Sequence, residues 1–134
     1  MVLYDYDSNA ILTKPLKNNT TSELVRSQTR LTQYLLDRGL KPKALCNDNK
    51  CPEALQRFFR DNSIYFQICP PNDHRTNQAE KAIDTCKCHF LAGLSGLDPN
   101  SPLHLWCRLL PQATQTVNLL RRSRINPRLS AEAQ

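Results

Sequence analysis

Strand-forming residues dominate the start of the chain, where V-L-Y-D-Y-D-S-N-A-I-L-T-K-P-L runs from Val2 to Leu16. β-Branched, aromatic and other apolar side chains favour strands here, and the polar residues Asp7 to Asn9 between them favour a turn. The pattern predicts two strands, about Val2 to Tyr6 and Ala10 to Leu16, that pair as a hairpin. Because the hairpin begins at once, we expect a further strand of the sheet to lie upstream of it.

A helical period follows this hairpin. Thr20-Thr21-Ser22-Glu23 has the form of a capping box, and Gly39 is a helix stop, so a helix is predicted to run to about Arg38. Apolar residues recur along it at the spacing of one buried helix face. This stripe consists of Leu24, Val25, Leu31, Leu35 and Leu36.

Two short apolar runs enclose the next predicted helix. The first, K-A-L-C, predicts a buried strand that delivers Asp48 at its C-terminal end, the edge where open α/β sheets bind ligands. Pro52 suits a first helical position, so we expect a short helix from there to about Asn62. The second run, Ser63 to Ile68, consists mainly of strand formers and ends before the breaker C-P-P.

A long helix is predicted from about Asn77 to Leu94. Its buried stripe consists of Ala79, Ile83, Cys86, Phe90 and Leu94. Glu80, Asp84 and Lys87 fall on another face, at i, i+4 and i+7, so Glu80 is presented rather than buried. A last helical region begins at S-P and is kinked or split by Pro111. The predicted order of elements is ββαβαβαα.

Composition and charge narrow the class of protein. With 40% hydrophobic and 22% charged residues among 134, the chain predicts one globular domain. We divide it into a core at 1–125 and a basic, polar tail at 126–134, and we expect the segment that holds Arg121, Arg122, Arg124 and Arg128 to be frayed. The net charge of +6 favours a polyanionic partner, although a merely basic soluble protein would carry the same charge.

Targeting signals are missing from the pattern. The chain has no basic and apolar leader and no span of about 18 apolar residues, so we expect no secretion and no membrane. The expected location is the nucleus or the cytoplasm. In those compartments the six cysteines are expected to be reduced thiols.

Asp48 and Glu80 are the candidate chemical residues. Two carboxylates, one at a strand end and one on a helix, can share Mg²⁺ or Mn²⁺, because these ions prefer oxygen ligands. Ordinary surface acids are the competing interpretation, since acids are plentiful in any chain.

The order of the motifs carries a resemblance that extends over nearly the whole sequence. In sequence order the motifs are V-L-Y-D-Y-D-S-N-A-I-L, G-L-K-P-K, N-D-N, P-P-N-D-H-R-T-N-Q-A-E-K-A-I, H-F-L-A-G-L, L-H-L-W-C-R-L-L-P-Q-A and N-L-L-R-R-S-R-I-N-P-R-L-S-A. The chain resembles the catalytic core of a copia-type retrotransposon integrase, of the retroviral integrase superfamily with a ribonuclease H-like fold. This implies an α/β fold with a small mixed β-sheet flanked by helices, lacking the first core strand.

The resemblance implies a DDE-type polynucleotidyl transferase, which integrates DNA by metal-dependent phosphodiester transfer. Asp48 matches the second of the three metal-binding acids and Glu80 the third. The first acid lies on a strand upstream of the predicted hairpin, so Asp5 and Asp7 match neither it nor another ligand, although strand alternation would let one of them face the site. The expected cofactor is Mg²⁺ or Mn²⁺, weakly held or absent, with no small-molecule cofactor.

DNA is the implied partner, together with other integrase chains in a homo-oligomer. His74, Arg75 and Lys87 match or lie near the DNA-facing loop and helix face, and they are the candidate phosphate contacts. As plain solvated residues they would look the same in the sequence. Lys81, Arg121, Arg122 and Arg124 are secondary candidates.

Three departures from the family pattern bear on activity. Lys50 stands where the family commonly has an acid, Asp84 where it usually has a basic residue, and Cys107 where it often has Asp. A cation beside the metal site and an acid one turn after Glu80 both oppose metal-assisted chemistry on a phosphate. We therefore expect the isolated chain to be inactive.

Two alternatives remain open. The first is a catalytically silent remnant that binds nucleic acid or associates with integrase chains. The second is a zinc-stabilised module that uses Cys46-x4-Cys51 and Cys86-x-Cys88-His89, because thiolate and imidazole are the ligands that zinc prefers. Neither cysteine pair has the C-x2-C spacing of common zinc sites.

Overall fold

The computed structural model describes residues 1–47, 51–68 and 78–134. In order, the elements are β1 (Val2–Tyr4), β2 (Ile11–Thr13), α1 (Thr21–Asp37), β3 (Ala44–Asn47), α2 (Glu53–Asp61), β4 (Tyr65–Ile68), α3 (Gln78–Ser95), a 3₁₀ turn (Leu103–Leu105) and α4 (Trp106–Leu120). This is the predicted order. The chain divides into two compact units, the first formed by Met1 and Leu16–Asn77 and the second by Val2–Pro15 and Gln78–Gln134.

The core of the first unit is aromatic. β3 pairs with β4 in parallel, from Ala44 opposite Tyr65 to Asn47 opposite Ile68, and α2 packs against both α1 and β4. Phe59 of α2 is fully buried beside Leu55 and Ile64. Its ring centroid lies 5.7 Å from that of Phe58 and 5.8 Å from that of Phe66, distances typical of aromatic pairs.

Helix α1 ends as its sequence predicts. Gly39 has a positive φ of 75°, a conformation that costs glycine little because it has no Cβ. The Gly39 amide donates to the Leu36 carbonyl at 2.9 Å, and the Leu40 amide donates to the Leu35 carbonyl at 2.9 Å. These two bonds make a Schellman motif, which satisfies carbonyls that the helix itself leaves free.

Helix α2 ends in the same way, but with a serine at the left-handed position. Ser63 has a φ of 54°. Its amide donates to the Arg60 carbonyl at 3.0 Å, and the Ile64 amide donates to the Phe59 carbonyl at 2.8 Å. A side chain with a Cβ is strained in this conformation, so the α2 cap carries a cost that the Gly39 cap avoids.

The buried face of α1 differs from the predicted stripe. Leu31 and Leu35 are buried as expected, whereas Leu36 is exposed. The rest of the buried face is polar and consists of Glu23, Ser27, Gln28 and Thr32. A prediction from hydrophobic period assigns leucine to the buried face and glutamine to the exposed face. It therefore places Leu36 on the buried face and misses Gln28.

The predicted capping box of α1 is not formed. Thr20 has the extended conformation of an N-cap, but its side chain makes no capping bond and donates instead to Asn18 Oδ1 at 2.7 Å. Glu23 accepts a hydrogen bond from Arg26 Nη2 at 2.8 Å rather than from the Thr20 amide. The residues of the motif are present, but local partners compete for them.

The second unit is built around the β1–β2 hairpin. The strands pair antiparallel, with Tyr4 opposite Ile11, and Ile11 packs with Ala82, Cys86 and Val117 of α3 and α4. Of the stripe predicted for α3, Cys86 is fully buried, and the stripe's other members are partly exposed. Burial raises the pKa of the Cys86 thiol, because the thiolate would lose its hydration.

Polar side chains tie α4 to this hairpin. The Ile11 amide donates to Asn118 Oδ1 at 2.9 Å, and Asn118 Nδ2 donates to the Ile11 carbonyl at 2.8 Å. The hydroxyls of Thr13 and Thr114 lie 2.6 Å apart. Asn118 is only 2% exposed, so its amide replaces water as the partner of both Ile11 backbone groups.

The segment after α4 is ordered, which corrects the expectation of a frayed tail. The Ala131 amide donates to the Arg121 carbonyl at 2.7 Å, and Arg122 forms an isolated antiparallel bridge with Ser130. Arg121 Nε donates to the Asn9 carbonyl at 2.8 Å. The tail is ordered because it satisfies polar groups of the hairpin turn; the predicted division at residue 125 stays a prediction.

Two further expectations are corrected. Helix α4 continues through Pro111, so the predicted split does not occur, while the predicted kink stays a prediction. Cys46 is disulfide-bonded, which contradicts the prediction of six reduced thiols, while Cys51, Cys86, Cys88 and Cys107 are free. Among the described residues, no helix is long and apolar enough to cross a membrane.

Candidate functional site

Asp48, the first predicted ligand, lies outside the described residues, as do His74, Arg75 and Lys50. β3 ends at Asn47, the residue that precedes Asp48 in the sequence. The end of β3 therefore agrees with the strand end that the sequence predicts just before Asp48. The roles of Asp48, His74 and Arg75 remain predictions.

Glu80, the second predicted ligand, lies in the first turn of α3 and is half-buried. Backbone amides at the start of a helix have no partner within the helix, and the helix dipole is positive there, so a carboxylate at this place is stabilised. Half-burial leaves part of the side chain open to solvent. This position suits an oxygen ligand, although a helix-stabilising acid would occupy the same place.

Asp84 and Lys87 share the exposed face predicted for them on α3. Lys87 Nζ lies 4.0 Å from Asp84 Oδ1, and their side chains are 67% and 74% exposed. A surface ion pair of this kind adds little stability. The Asp84 carboxylate offsets the positive charge of Lys87, and the role of Lys87 in binding DNA stays a prediction.

Asp5 and Asp7 accept hydrogen bonds that stabilise the hairpin turn. Asp5 Oδ2 accepts hydrogen bonds from the Ser8 amide at 2.9 Å and from the Ser8 hydroxyl. The Asp7 carbonyl accepts from the Arg124 amide at 3.1 Å. Within residues 1–47, 51–68 and 78–134, no three His, Cys, Asp or Glu side chains are grouped to hold a metal ion.

The geometry opposes the zinc interpretation. Cys46 is in a disulfide, so it offers no thiolate. Cys86 is buried in the core of the second unit, whereas Cys88 is exposed two residues later on the same helix. Zinc ligands must converge on one point, and these two side chains point to different sides of α3.

Asn47 was not predicted as a site residue. Its side-chain nitrogen is buried, and no described residue accepts a hydrogen bond from it. An unpaired buried amide costs free energy, so this donor is available to an acceptor that the described residues do not supply. The sequence does not distinguish Asn47 from Asn49, because the feature that marks Asn47 is the burial of its side-chain nitrogen, which only the structure shows.

Comparison with known proteins identifies the fold. The chain is similar to a chain in the cryo-EM structure of the simian T-cell lymphotropic virus intasome in complex with PP2A regulatory subunit B56 gamma. The match has a TM-score of 0.72 at 22% identity and covers 90% of this chain but only 42% of that chain. No protein-family profile and no curated protein matches the sequence.

The similarity confirms the predicted α/β, ribonuclease H-like class and shows a fold like that of a retroviral integrase. One antiparallel and one parallel strand pair, each accompanied by helices, fit this class. Folds of this kind serve more than one chemistry, so function rests on the residues of the site.

Proposed function

We propose that the chain is an integrase catalytic core fragment of a copia-type retrotransposon polyprotein. The observation that carries this proposal is the integrase-like fold over 90% of the chain. Two positions support it, since Glu80 lies in the first turn of α3 and β3 ends at Asn47, one residue before Asp48. The reaction class is DNA integration by phosphodiester transfer.

The proposed site would hold Mg²⁺ or Mn²⁺ through Asp48 and Glu80. The donor chemistry fits, because hard divalent ions prefer carboxylate oxygens, and part of the Glu80 side chain is open to solvent. Such ions stabilise the attacking and leaving oxygens of an in-line displacement at phosphorus. In this arrangement Glu80 would supply a ligand oxygen from the first turn of α3.

The same residues argue against turnover by the isolated chain. The hairpin acids are occupied in their turn, because Asp5 accepts hydrogen bonds from Ser8. Asp84 adds a negative charge one turn after Glu80 and faces solvent, where it repels phosphate. Lys50 follows Asp48 by two positions in the sequence, and its positive charge opposes metal binding by Asp48.

A strand-transfer assay with Mn²⁺ tests the proposal. We expect no turnover above that of Glu80→Gln, together with weak Mn²⁺ binding in calorimetry that Glu80→Gln removes. Asp84→Asn is the matched control, since it neutralises another acid of α3 and should leave Mn²⁺ binding in place. Turnover that Glu80→Gln abolishes would contradict the predicted inactivity. Mn²⁺ binding that is insensitive to Glu80 would contradict the site.

A catalytically silent DNA-binding remnant is the second candidate, favoured by the net charge of +6. It predicts sequence-independent DNA binding that weakens steeply with salt and survives Glu80→Gln. Both proposals have DNA as the partner, and Mn²⁺ binding through Glu80 distinguishes them.

A further inference from the structure

Two loops of the second unit meet at a surface that carries three arginines and an exposed tyrosine. We call it the Arg–Tyr surface and define it by Tyr6 of the hairpin turn and Arg122, Arg124 and Arg128 of the segment after α4. Tyr6 is 54% exposed, and all three arginines are exposed. The acids assigned to the proposed integrase site play no part in it.

One backbone–backbone hydrogen bond and one from a side chain to the backbone hold the two loops together. The Arg124 amide donates to the Asp7 carbonyl at 3.1 Å, and Asn9 Nδ2 donates to the Arg122 carbonyl at 2.8 Å. Within the arginine loop, the Ser123 amide donates to the Leu129 carbonyl at 3.0 Å. The surface is therefore built on a braced backbone rather than on a loose tail, which lowers the entropy cost of binding a partner.

A guanidinium and an aromatic ring are stacked at the centre of this surface. The Arg124 guanidinium carbon lies 3.9 Å from the centroid of the Tyr6 ring, and Arg124 Nη1 donates to the Tyr6 carbonyl at 3.0 Å. The hydrogen bond fixes the guanidinium against the ring. Both groups remain exposed, so a third flat group can extend the stack.

Two further exposed arginines, Arg122 and Arg128, lie in the same segment as Arg124. The side chains of Arg122 and Arg128 make no hydrogen bond or ion pair with any other residue that the structure describes. Asp7 is the exposed acid of the facing turn, and the Asp5 carboxylate accepts hydrogen bonds from Ser8. Glu132 is a second acid of these two loops, so three arginines against Asp7 and Glu132 leave a local excess of one positive charge.

We propose that the Arg–Tyr surface binds single-stranded nucleic acid. An unpaired base can stack on the Tyr6–Arg124 pair, while Arg122 and Arg128 of the same segment contact the phosphates of the strand. An acidic peptide would satisfy the arginines but would leave the stacking pair unused. A duplex would satisfy the charges, but its bases are already stacked on one another.

Fluorescence anisotropy with a labelled oligothymidylate about ten nucleotides long tests the proposal. Tyr6→Leu is expected to weaken binding about tenfold, because it removes the ring on which a base stacks. Tyr6→Phe keeps the ring and should bind like the unchanged chain. Arg124→Lys keeps the charge but loses the planar group, so it should also weaken binding.

Salt dependence isolates the phosphate contacts. The double variant Arg122→Gln, Arg128→Gln should reduce the slope of log K against log salt by about 1.4, since each phosphate contact with a single strand contributes about 0.7. Arg108→Gln is the matched control, because Arg108 is an exposed arginine of α4 in the same unit. It removes one charge away from the surface and should leave the stacking affinity unchanged.

Three results would overturn the proposal: Tyr6→Leu binding as tightly as the unchanged chain, a duplex of equal length binding as tightly as the single strand, or polyglutamate competing as well as the oligonucleotide. Circular dichroism on each variant separates lost binding from lost folding. Because none of these measurements uses Glu80 or a metal ion, their failure is distinct from a failure of the proposed integrase site.

Discussion

The two compact units use different interactions to hold their elements in place. In the first unit, Phe59 is enclosed by aliphatic and aromatic side chains. In the second, Asn118 and Arg121 join the hairpin to α4 and to the segment after it through polar groups. An apolar core tolerates any partner of the right volume, whereas a polar tie needs the right donor and acceptor. The units should therefore respond differently to substitution.

The largest effect is expected from Phe59→Ala, which removes a fully buried ring. It should lower the free energy of unfolding by about 3–5 kcal/mol, through lost burial and the cavity left behind. Urea unfolding followed by circular dichroism measures this loss. Phe58→Ala is the control, because the neighbouring ring is only half-buried and should cost clearly less. Equal losses from both would show that the aromatic core is not centred on Phe59.

Asn118→Ala should destabilise the second unit through lost hydrogen bonds rather than through a cavity. It leaves the amide and carbonyl of Ile11 without their side-chain partner, at a cost of about 2–3 kcal/mol. Asn118→Asp keeps an acceptor for the Ile11 amide but puts a buried carboxylate beside the Ile11 carbonyl and Glu132, so it should destabilise at least as much as alanine. Native-state hydrogen exchange at Ile11 reads the local loss. If protection at Ile11 survives Asn118→Ala, the polar tie does not hold the hairpin.

The two Schellman caps of the first unit sharpen the comparison further. Gly39→Ala should destabilise by about 1–2 kcal/mol, because alanine must adopt a left-handed φ. Apart from Gly39 and its two chain neighbours, no atom of the described residues lies within 4 Å of the place where the new Cβ would sit, so conformational strain is the main cost. Ser63→Gly should have the opposite sign and stabilise by about 1 kcal/mol. Thermal unfolding of both variants checks the pair, and two changes of the same sign would contradict the cap assignment.

The smallest effect concerns Glu23 and pH. The hydrogen bond from Arg26 is the main cause that lowers the pKa of the Glu23 carboxyl in the folded chain. Its contribution to stability is therefore present above the pKa of the unfolded chain and is lost as pH falls through the lowered folded pKa. Glu23→Gln should destabilise at neutral pH and converge with the unchanged chain in acid. Glu53→Gln is the control, because the Glu53 side chain is 82% exposed.

The same contrast between the units explains what the sequence predicts well. Apolar period and turn residues predict the order of elements, and Gly39 marks the end of α1, because these signals act over a few neighbouring residues. The ties of Asn118 to Ile11 and of Arg121 to Asn9 join residues more than 100 positions apart. Nothing in the local pattern indicates such partners, so the arginine segment was expected to fray.

For the candidate site, too, the sequence predicts the features set by local spacing and misses those set by tertiary packing. The helical period places Glu80 on α3 and predicts that Asp84 and Lys87 share an exposed face, because side-chain spacing on a helix is fixed. The disulfide at Cys46 could not be predicted, since pairing depends on the distance between cysteines in the folded chain. The buried nitrogen of Asn47 likewise depends on packing.

The hydrogen bond between Arg121 and Asn9 also implies an order in which the two units fold during synthesis. The hairpin leaves the ribosome early, but Arg121 and Ala131 are synthesised more than 100 residues later. The first unit, whose described elements lie between Thr21 and Ile68, can pair its strands before that moment. Until the arginine segment has been synthesised, the polar groups of the hairpin turn are hydrated, so the second unit completes its contacts after the first.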